Sequence, residues 1–296
     1  LAQRALDAVY GVDLNPFAVE RARLRLLFAA LKACGIEKLR NAPDFRINVA
    51  AGDSLLHGRR FGQLDLGDEA ENLATRYSHA YATEDLADLN RILGQQYHAV
   101  VGNPPYITPK DSALNEIYRS RYSTCHMKYS LGVPFTERFF ELAVEGAGSA
   151  PAGFVGMITT NSFMKREFGR KLIEDFLPRI DLTCVIDTSG AYIPGHGTPT
   201  VILFGRHRAA IGDVVRTVMG IRGEPRTPDD PAKGEVWSAI LGQLDRAGSE
   251  SEFVSVSDVA RAALATHPWT IGGGGASELR RVIEGEDRPK LASRAK

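Results

Sequence analysis

Two adjacent prolines, Pro104 and Pro105, constrain this chain more than any other local feature. Each fixes its own φ, lacks an N–H, and pushes the residue before it out of helical geometry. The residues in front of them, 97–101 (Tyr-His-Ala-Val-Val), read as a β run closed by Gly102. Asn103-Pro104-Pro105-Tyr106 is therefore expected to form a stiff turn at the carboxyl end of a strand. It presents one amide side chain, one proline carbonyl and one aromatic face. In open α/β sheets, ligands bind along that edge.

An amino group on a planar ring suits such a set. It offers two N–H donors and a π face. Asn103 Oδ1 and the Pro104 carbonyl can accept the two hydrogens while Tyr106 stacks on the ring. Accepting both hydrogens draws the nitrogen lone pair out of conjugation and makes the nitrogen a better nucleophile. The alternative is an ordinary Asn-Pro-Pro surface turn with a packed tyrosine, because a four-residue motif recurs by chance.

The 296 residues suit one large domain, or one domain plus part of a second, and 44% hydrophobic residues suffice for a core. Lys+Arg and Asp+Glu both number 36, so any nucleic-acid footprint must be a local patch. Cys34, Cys125 and Cys184 have no metal spacing and no disulfide pattern, which fits a reducing cytoplasm. No metal site and no membrane span are expected. The chain opens at Leu1 inside what reads as a continuing element, as a fragment of a longer protein would.

Residues 6–14 (LDAVYGVDL) read as a strand ending in an acid. Asn15 can cap a following helix, Pro16 suits its first position, and residues 18–33 carry apolar side chains at helical spacing. Strand, acid, cap and helix make half of a Rossmann-like unit, in which Asp13 is placed to accept ribose hydroxyls; the lesser alternative is a second cap. The ribose acid of such units lies about 20 residues after the start of a glycine loop. Only twelve residues precede Asp13, with no Gly-x-Gly among them, so that loop and its strand are expected to be missing here. Residues 45–51 read as a second strand, leading into Gly52-Asp53-Ser54-Leu55, where Asp53 can cap a helix or turn.

Residues 63–96 are polar and acidic and read as a surface insert running into a helix at 84–93. Residues 107–130 interleave Lys110, Arg119, Arg121, His126 and Lys128 with Tyr118, Tyr122 and Tyr129. Basic groups among aromatics beside a reactive edge can hold phosphates; the other reading is a helical insert with its charges in water. Residues 131–147 form an amphipathic helix and 152–159 a buried strand. Asn161 then starts a helix to Leu177 that carries Lys165, Arg166, Arg170 and Lys171. Strands follow at 182–186 and 201–204, joined by a Gly/Pro-rich loop, 187–199, with Tyr192, Ile193 and His196. Beyond Arg206 the signals weaken: a hinge-like stretch at 223–233, helices at 236–247 and 257–265, and His267-Pro268-Trp269 as the entry to a further domain.

The order strand-Asp13, strand-Asp53, strand-Asn103-Pro104-Pro105-Tyr106, strand-Asn161, then Tyr192-Ile193-Pro194 and a last strand resembles the N6-adenine DNA methyltransferases of class I fold. Stretches such as NPPYIT, KYSLGVPFTERFFELA, NSFMKREFG and IDTSGAYIPGHGTPTVILFGR are similar to the large adenine methyltransferases of BREX phage-defence systems. The resemblance spans roughly residues 1–270. It implies a Rossmann-like α/β fold, mostly parallel with a final antiparallel strand and incomplete at its N-terminus. The implied cofactor is S-adenosylmethionine, with Asp13 on its ribose and Asp53 on its adenine. Asn103, Pro104, Pro105 and Tyr106 would be catalytic, and Tyr106 and Tyr192 (or Ile193) would stack on the base. The implied partner is double-stranded DNA with one adenine flipped out, its phosphates near Lys128, Lys165, Arg166 and His196, with other phage-defence subunits as further partners. Residues 1–210 are then the catalytic domain, and 211–296 a linker and the start of a target-recognition region. Rival readings are a methyltransferase of protein glutamine or RNA, and a DNA-binding subunit without turnover.

Overall fold

In a computed structural model, residues 1–60, 86–147, 151–195, 197–269 and 271–272 are described. The chain divides into two compact units, Leu1–Tyr97 and His98–Lys296.

The first unit holds helix α1 (Ala2–Leu6), strand β1 (Tyr10–Asp13), helix α2 (Pro16–Ala33), strand β2 (Asn48–Ala51) and helix α3 (Leu86–Leu93). The strand expected at 6–14 is shorter, because its first residues close α1 instead. α2 begins as its sequence dictates: Pro16 takes the first helical position and Asn15 Oδ1 accepts the Phe17 N–H at 3.0 Å. β1 and β2 pair in parallel, with Asp13 opposite Ala51. The residue after Ala51 must be glycine, since a Cβ on Gly52 would run into the Leu89 side chain of α3. Of the acidic insert, 61–85 lies outside the described residues.

The second unit is built on a six-stranded sheet in the order β3-β4-β6-β5-β7-β8. β3 is Ala99–Gly102, followed by helices α4 (Ser112–Arg121) and α5 (Gly132–Leu142). Strands β4 (Phe154–Thr160), β5 (Asp181–Asp187), β6 (Thr200–Arg206) and β7 (Val214–Gly220) follow, then helix α6 (Glu235–Gln243) and β8 (Val254–Ala260). β3 pairs in parallel with β4, and β5 with β7; β6 runs antiparallel to both β4 and β5, and β8 antiparallel to β7. Four strands thus share one direction. The antiparallel strand read at 201–204 is wedged between β4 and β5, and a second antiparallel strand forms the far edge.

α5 packs against β3 and β4. Two strand glycines seat its aromatic rings: a Cβ on Gly102 would fall 2.5 Å from Phe139 Cζ, and one on Gly205 2.8 Å from Phe140 Cζ.

Two expectations are corrected. The helix from Asn161 to Leu177 is a broken run of 3₁₀ turns (Asn161–Met164, Glu167–Gly169, Leu177–Arg179) around a π-turn at Leu172–Phe176. Gly169 backs directly onto the Phe163 carbonyl, which bends the chain before a regular helix can form. The helix at 257–265 is instead the end of β8 and a 3₁₀ turn, Arg261–Leu264. Trp269 is 1% exposed in the second unit. Its ring meets Phe163 edge-on at 5.6 Å, its Nε1–H donates to the Leu264 carbonyl at 2.8 Å, and its backbone N–H donates to the Met164 carbonyl at 2.8 Å.

Candidate functional site

In the first unit, Asp13 and Asp53 sit just at and beyond the carboxyl ends of two neighbouring parallel strands. The Gly52 N–H donates to the Asp13 carbonyl at 3.0 Å, which ties the two ends together. Asp13 is exposed and its Oδ1 accepts the Asn15 N–H at 2.7 Å. Asp53 is buried and its Oδ1 accepts the Leu55 N–H at 2.8 Å. Both acids therefore do the capping work their local sequence allows. An open cleft of about 580 Å3 runs along β1 and the flank of α2, from Val9 to Leu26, and takes in Asp13 but not Asp53. An exposed carboxylate at a strand end is a suitable acceptor for a vicinal diol such as that of a ribose.

In the second unit, the motif stands where its prolines demand, immediately after β3. Asn103 is exposed, Pro104 buried and Tyr106 half-buried. The Tyr106 hydroxyl donates to Asn103 Oδ1 at 2.6 Å. Burial pushes the Tyr106 phenol above its ordinary pKa, so it keeps its proton at neutral pH and stays a donor. In that contact the amide oxygen is the acceptor. An amide oxygen carries two lone pairs, so one remains for a ligand. Behind the motif, the Leu131 N–H donates to the Ile107 carbonyl at 2.9 Å, pinning the turn to the start of α5.

The basic-aromatic segment after Tyr106 is mostly structural. Tyr118, Tyr122 and Tyr129 are all buried, so their faces are not open for stacking. Arg119 lies over the Tyr129 ring, 5.1 Å from its centroid, and donates to the carbonyls of Cys125 and Met127. Glu137, itself buried on α5, accepts from the Thr124 N–H at 3.1 Å and the Thr124 hydroxyl at 2.8 Å. These bonds hold a tight turn with Met127 at φ 49° and leave Lys128 exposed at its tip. Lys165 and Arg166 are exposed as expected, whereas Arg170 is paired with Glu167 at 3.0 Å. His196 lies outside the described residues.

The register places the remaining elements on the same edge as Asn103. Gly102 stands opposite Met157, and Thr159 and Asp187 both stand opposite Val201. Asn103, Asn161 and the loop after Asp187 therefore all leave the carboxyl edge of the six-stranded sheet. The Asn161 N–H donates to the Pro199 carbonyl at 3.1 Å. The loop is closed at its base by a buried hydroxyl pair, Thr188 and Thr200, 2.7 Å apart. Tyr192 and Ile193 are both half-buried. Sequence reasoning missed Glu137, Glu224 and Trp237, whose partners are 11 to 45 residues away and leave no local signal.

Among the described residues, no His/Cys/Asp/Glu group is arranged to hold a metal, and no helix is long and apolar enough to cross a membrane.

Comparison with known proteins bears on this arrangement. The family model described as Eco57I restriction-modification methylase matches residues 7–192. "Adenine-specific methyltransferase PglX" of Streptomyces coelicolor is 50% identical over 291 residues, covering 94% of this chain and 24% of that protein. "Type II methyltransferase M.PaeR7I" of Pseudomonas aeruginosa is 29% identical over 150 residues, covering 46% of this chain and 25% of that protein. The chain thus spans about a quarter of the length of these two relatives. Among solved structures, a modification subunit of a putative type I restriction enzyme from Vibrio vulnificus YJ016 matches with a TM-score of 0.51 at 12% identity, covering 84% of this chain and 43% of that one. At that identity the likeness concerns the fold alone.

Proposed function

Since the chain belongs to the Eco57I restriction-modification methylase family, we propose that the full protein moves a methyl group from S-adenosylmethionine to the N6 amino group of adenine in DNA. The observation that carries the reading is the Asn103–Tyr106 pair at the carboxyl end of β3, with Asn103 exposed and its amide oxygen accepting the Tyr106 hydroxyl. S-adenosylmethionine brings a methyl group activated on sulfur, so neither a metal nor a covalent intermediate is required.

Asp13 would hold the ribose diol and Asp53 the adenine edge of the cofactor. Asn103 Oδ1 and the Pro104 carbonyl would accept the two amine hydrogens of the target base and leave its nitrogen lone pair free to attack. Pro105 stiffens the turn. Tyr106 stacks on the base from one side, with Tyr192 (Ile193 being the alternative) supporting it from the 187–199 loop. Flipping the adenine costs a few kcal/mol of unstacking, and each aromatic contact returns roughly 1–3 kcal/mol. Lys128, Lys165, Arg166 and His196 are the proposed phosphate contacts. Residues 1–210 carry this chemistry, and a target-recognition region begins in the part from 211 onward. The methyl mark would label host DNA in a phage-defence (BREX-like) or restriction-modification system, in the company of other subunits of that system.

The test is methyl transfer from labelled S-adenosylmethionine to unmodified plasmid by the full-length protein. Asn103→Ala should abolish transfer while duplex binding is largely kept. Near-normal turnover in that variant would overturn the role given to Asn103. Labelling of protein glutamine or of RNA in place of plasmid would overturn the adenine assignment.

A further inference from the structure

The strands and helix that follow residue 210 do more than widen the sheet. β7, α6 and β8 close a small core of their own, built from Val218, Val236, Ile240, Val254 and Val256 together with Ile186 of β5. Ala191, in the loop proposed to face the base, packs against this core.

Two polar contacts reach the same loop. The Trp237 Nε1–H of α6 donates to the Tyr192 carbonyl at 3.2 Å. The Glu224 N–H donates to the Gly190 carbonyl at 2.8 Å. Glu224 is also tied down at its other end. Its carboxylate accepts the N–H groups of Glu235 and Val236, at 2.6 and 3.1 Å, and so caps α6 from outside the helix. Gly234 makes room for it, since a Cβ there would fall 2.8 Å from Glu224 Oε2. Gly190 lies close to the same stretch, 3.1 Å from its virtual Cβ to Gly223 Cα. The stretch expected to be hinge-like is thus a strut between the first turn of α6 and the loop.

We infer that Glu224 and Trp237 are positioning residues for methyl transfer, fixing residues 190–192 so that the aromatic at 192 meets the flipped base. The inference rests on the proposed function. It adds that residues beyond 210, outside the span matched by the family model, take part in setting the site. Neither side chain touches base or cofactor in this account; both act through the loop backbone. A polar strut of this kind lowers the disorder of the stacking face before the base arrives, and positioning is where such a reaction gains much of its rate.

The experiment uses the full-length protein and two conservative variants. Trp237→Phe keeps the ring in the small core and removes the N–H donor. Glu224→Gln keeps the shape and weakens the cap. Amide hydrogen exchange at Ala191 and Glu224, and kcat/KM for plasmid methylation, are measured beside the Kd for S-adenosylmethionine. Losing one hydrogen bond should speed exchange at these amides and lower kcat/KM, each by about five- to tenfold. Cofactor affinity and thermal midpoint should stay near wild type. Faster exchange with unchanged kcat/KM would reduce the strut to a purely structural brace and overturn the inference, as would unchanged exchange. If the wild-type protein fails to methylate plasmid, the proposed function falls; the exchange result then still decides whether the strut holds the loop.

Discussion

Gly102→Ala tests how the site is held at its most confined point. The new methyl would lie 2.5 Å from Cζ and 2.8 Å from Cε2 of Phe139, where carbon atoms ordinarily approach to about 3.5–4.0 Å. Something must move by roughly 1 Å. The ring meets Phe135 edge-on at 5.8 Å, and its neighbours on α5, Thr136, Arg138 and Phe140, are buried, which limits how far it can withdraw. Overpacking of this kind costs about 1–3 kcal/mol. Part of the strain will pass into the backbone next to Asn103, where a displacement near 1 Å costs on the order of 10²-fold in rate. The expected result is a modest drop in the denaturation midpoint with a larger drop in single-turnover methylation by the full-length protein. Phe139→Leu should relieve the clash, so that Gly102→Ala/Phe139→Leu methylates faster than Gly102→Ala alone, with a coupling of about 1–2 kcal/mol in the double-mutant cycle. Strictly additive effects, or an alanine variant with wild-type stability and turnover, would refute the claim that Phe139 seats the motif.

Two further outcomes are expected. Asp13→Ala should weaken S-adenosylmethionine binding by the full-length protein by roughly 10- to 100-fold, the worth of a charged hydrogen bond, and leave DNA affinity unchanged; calorimetry with an unaltered cofactor Kd would remove Asp13 from the site. Burial pushes the Cys184 thiol up to about 11 and the Tyr97 phenol up to about 12, from 9.0 and 10.0. The folded protein keeps these protons after the unfolded chain has lost them, so stability is intact below pH 9 and falls from pH 9 to 11 through Cys184 and from 10 to 12 through Tyr97. Denaturation midpoints of wild type and Cys184→Ala across this range check it: the variant should lose the first part of the decline, and a flat wild-type profile would contradict the shifts.

The parts legible in the sequence are those where one residue type dictates the backbone. Asn15-Pro16 fixes the start of α2, and Pro104-Pro105 fixes a turn after β3; both stand where expected. The apolar run of β4 likewise has one reasonable home. Side-chain partnerships across the sequence were not legible. Tyr118 and Tyr122 are one helical turn apart, which already suggests a shared buried face, yet the arginines among them drew the reading toward phosphate. The 161–177 stretch has helical composition, and only the approach of Gly169 to the Phe163 carbonyl explains why it breaks. β7 and β8 were missed because Arg216 interrupts the apolar pattern of one and Ser and Asp that of the other, where Arg216 meets Asp258 across the pair. The same cross-strand blindness hid Glu224, whose partners are a glycine carbonyl and a helix end.

Because Thr200–Arg206 is wedged between β4 and β5, these two strands are not joined until residue 206 has left the ribosome. The turns at Asn161 and after Asp187 are then secured together in one late event. A nascent chain stalled before residue 200 would leave the facing edges of β4 and β5 unpaired and would tend to adhere to other unfinished chains. Premature termination in that window therefore leaves unpaired strand edges open to aggregation.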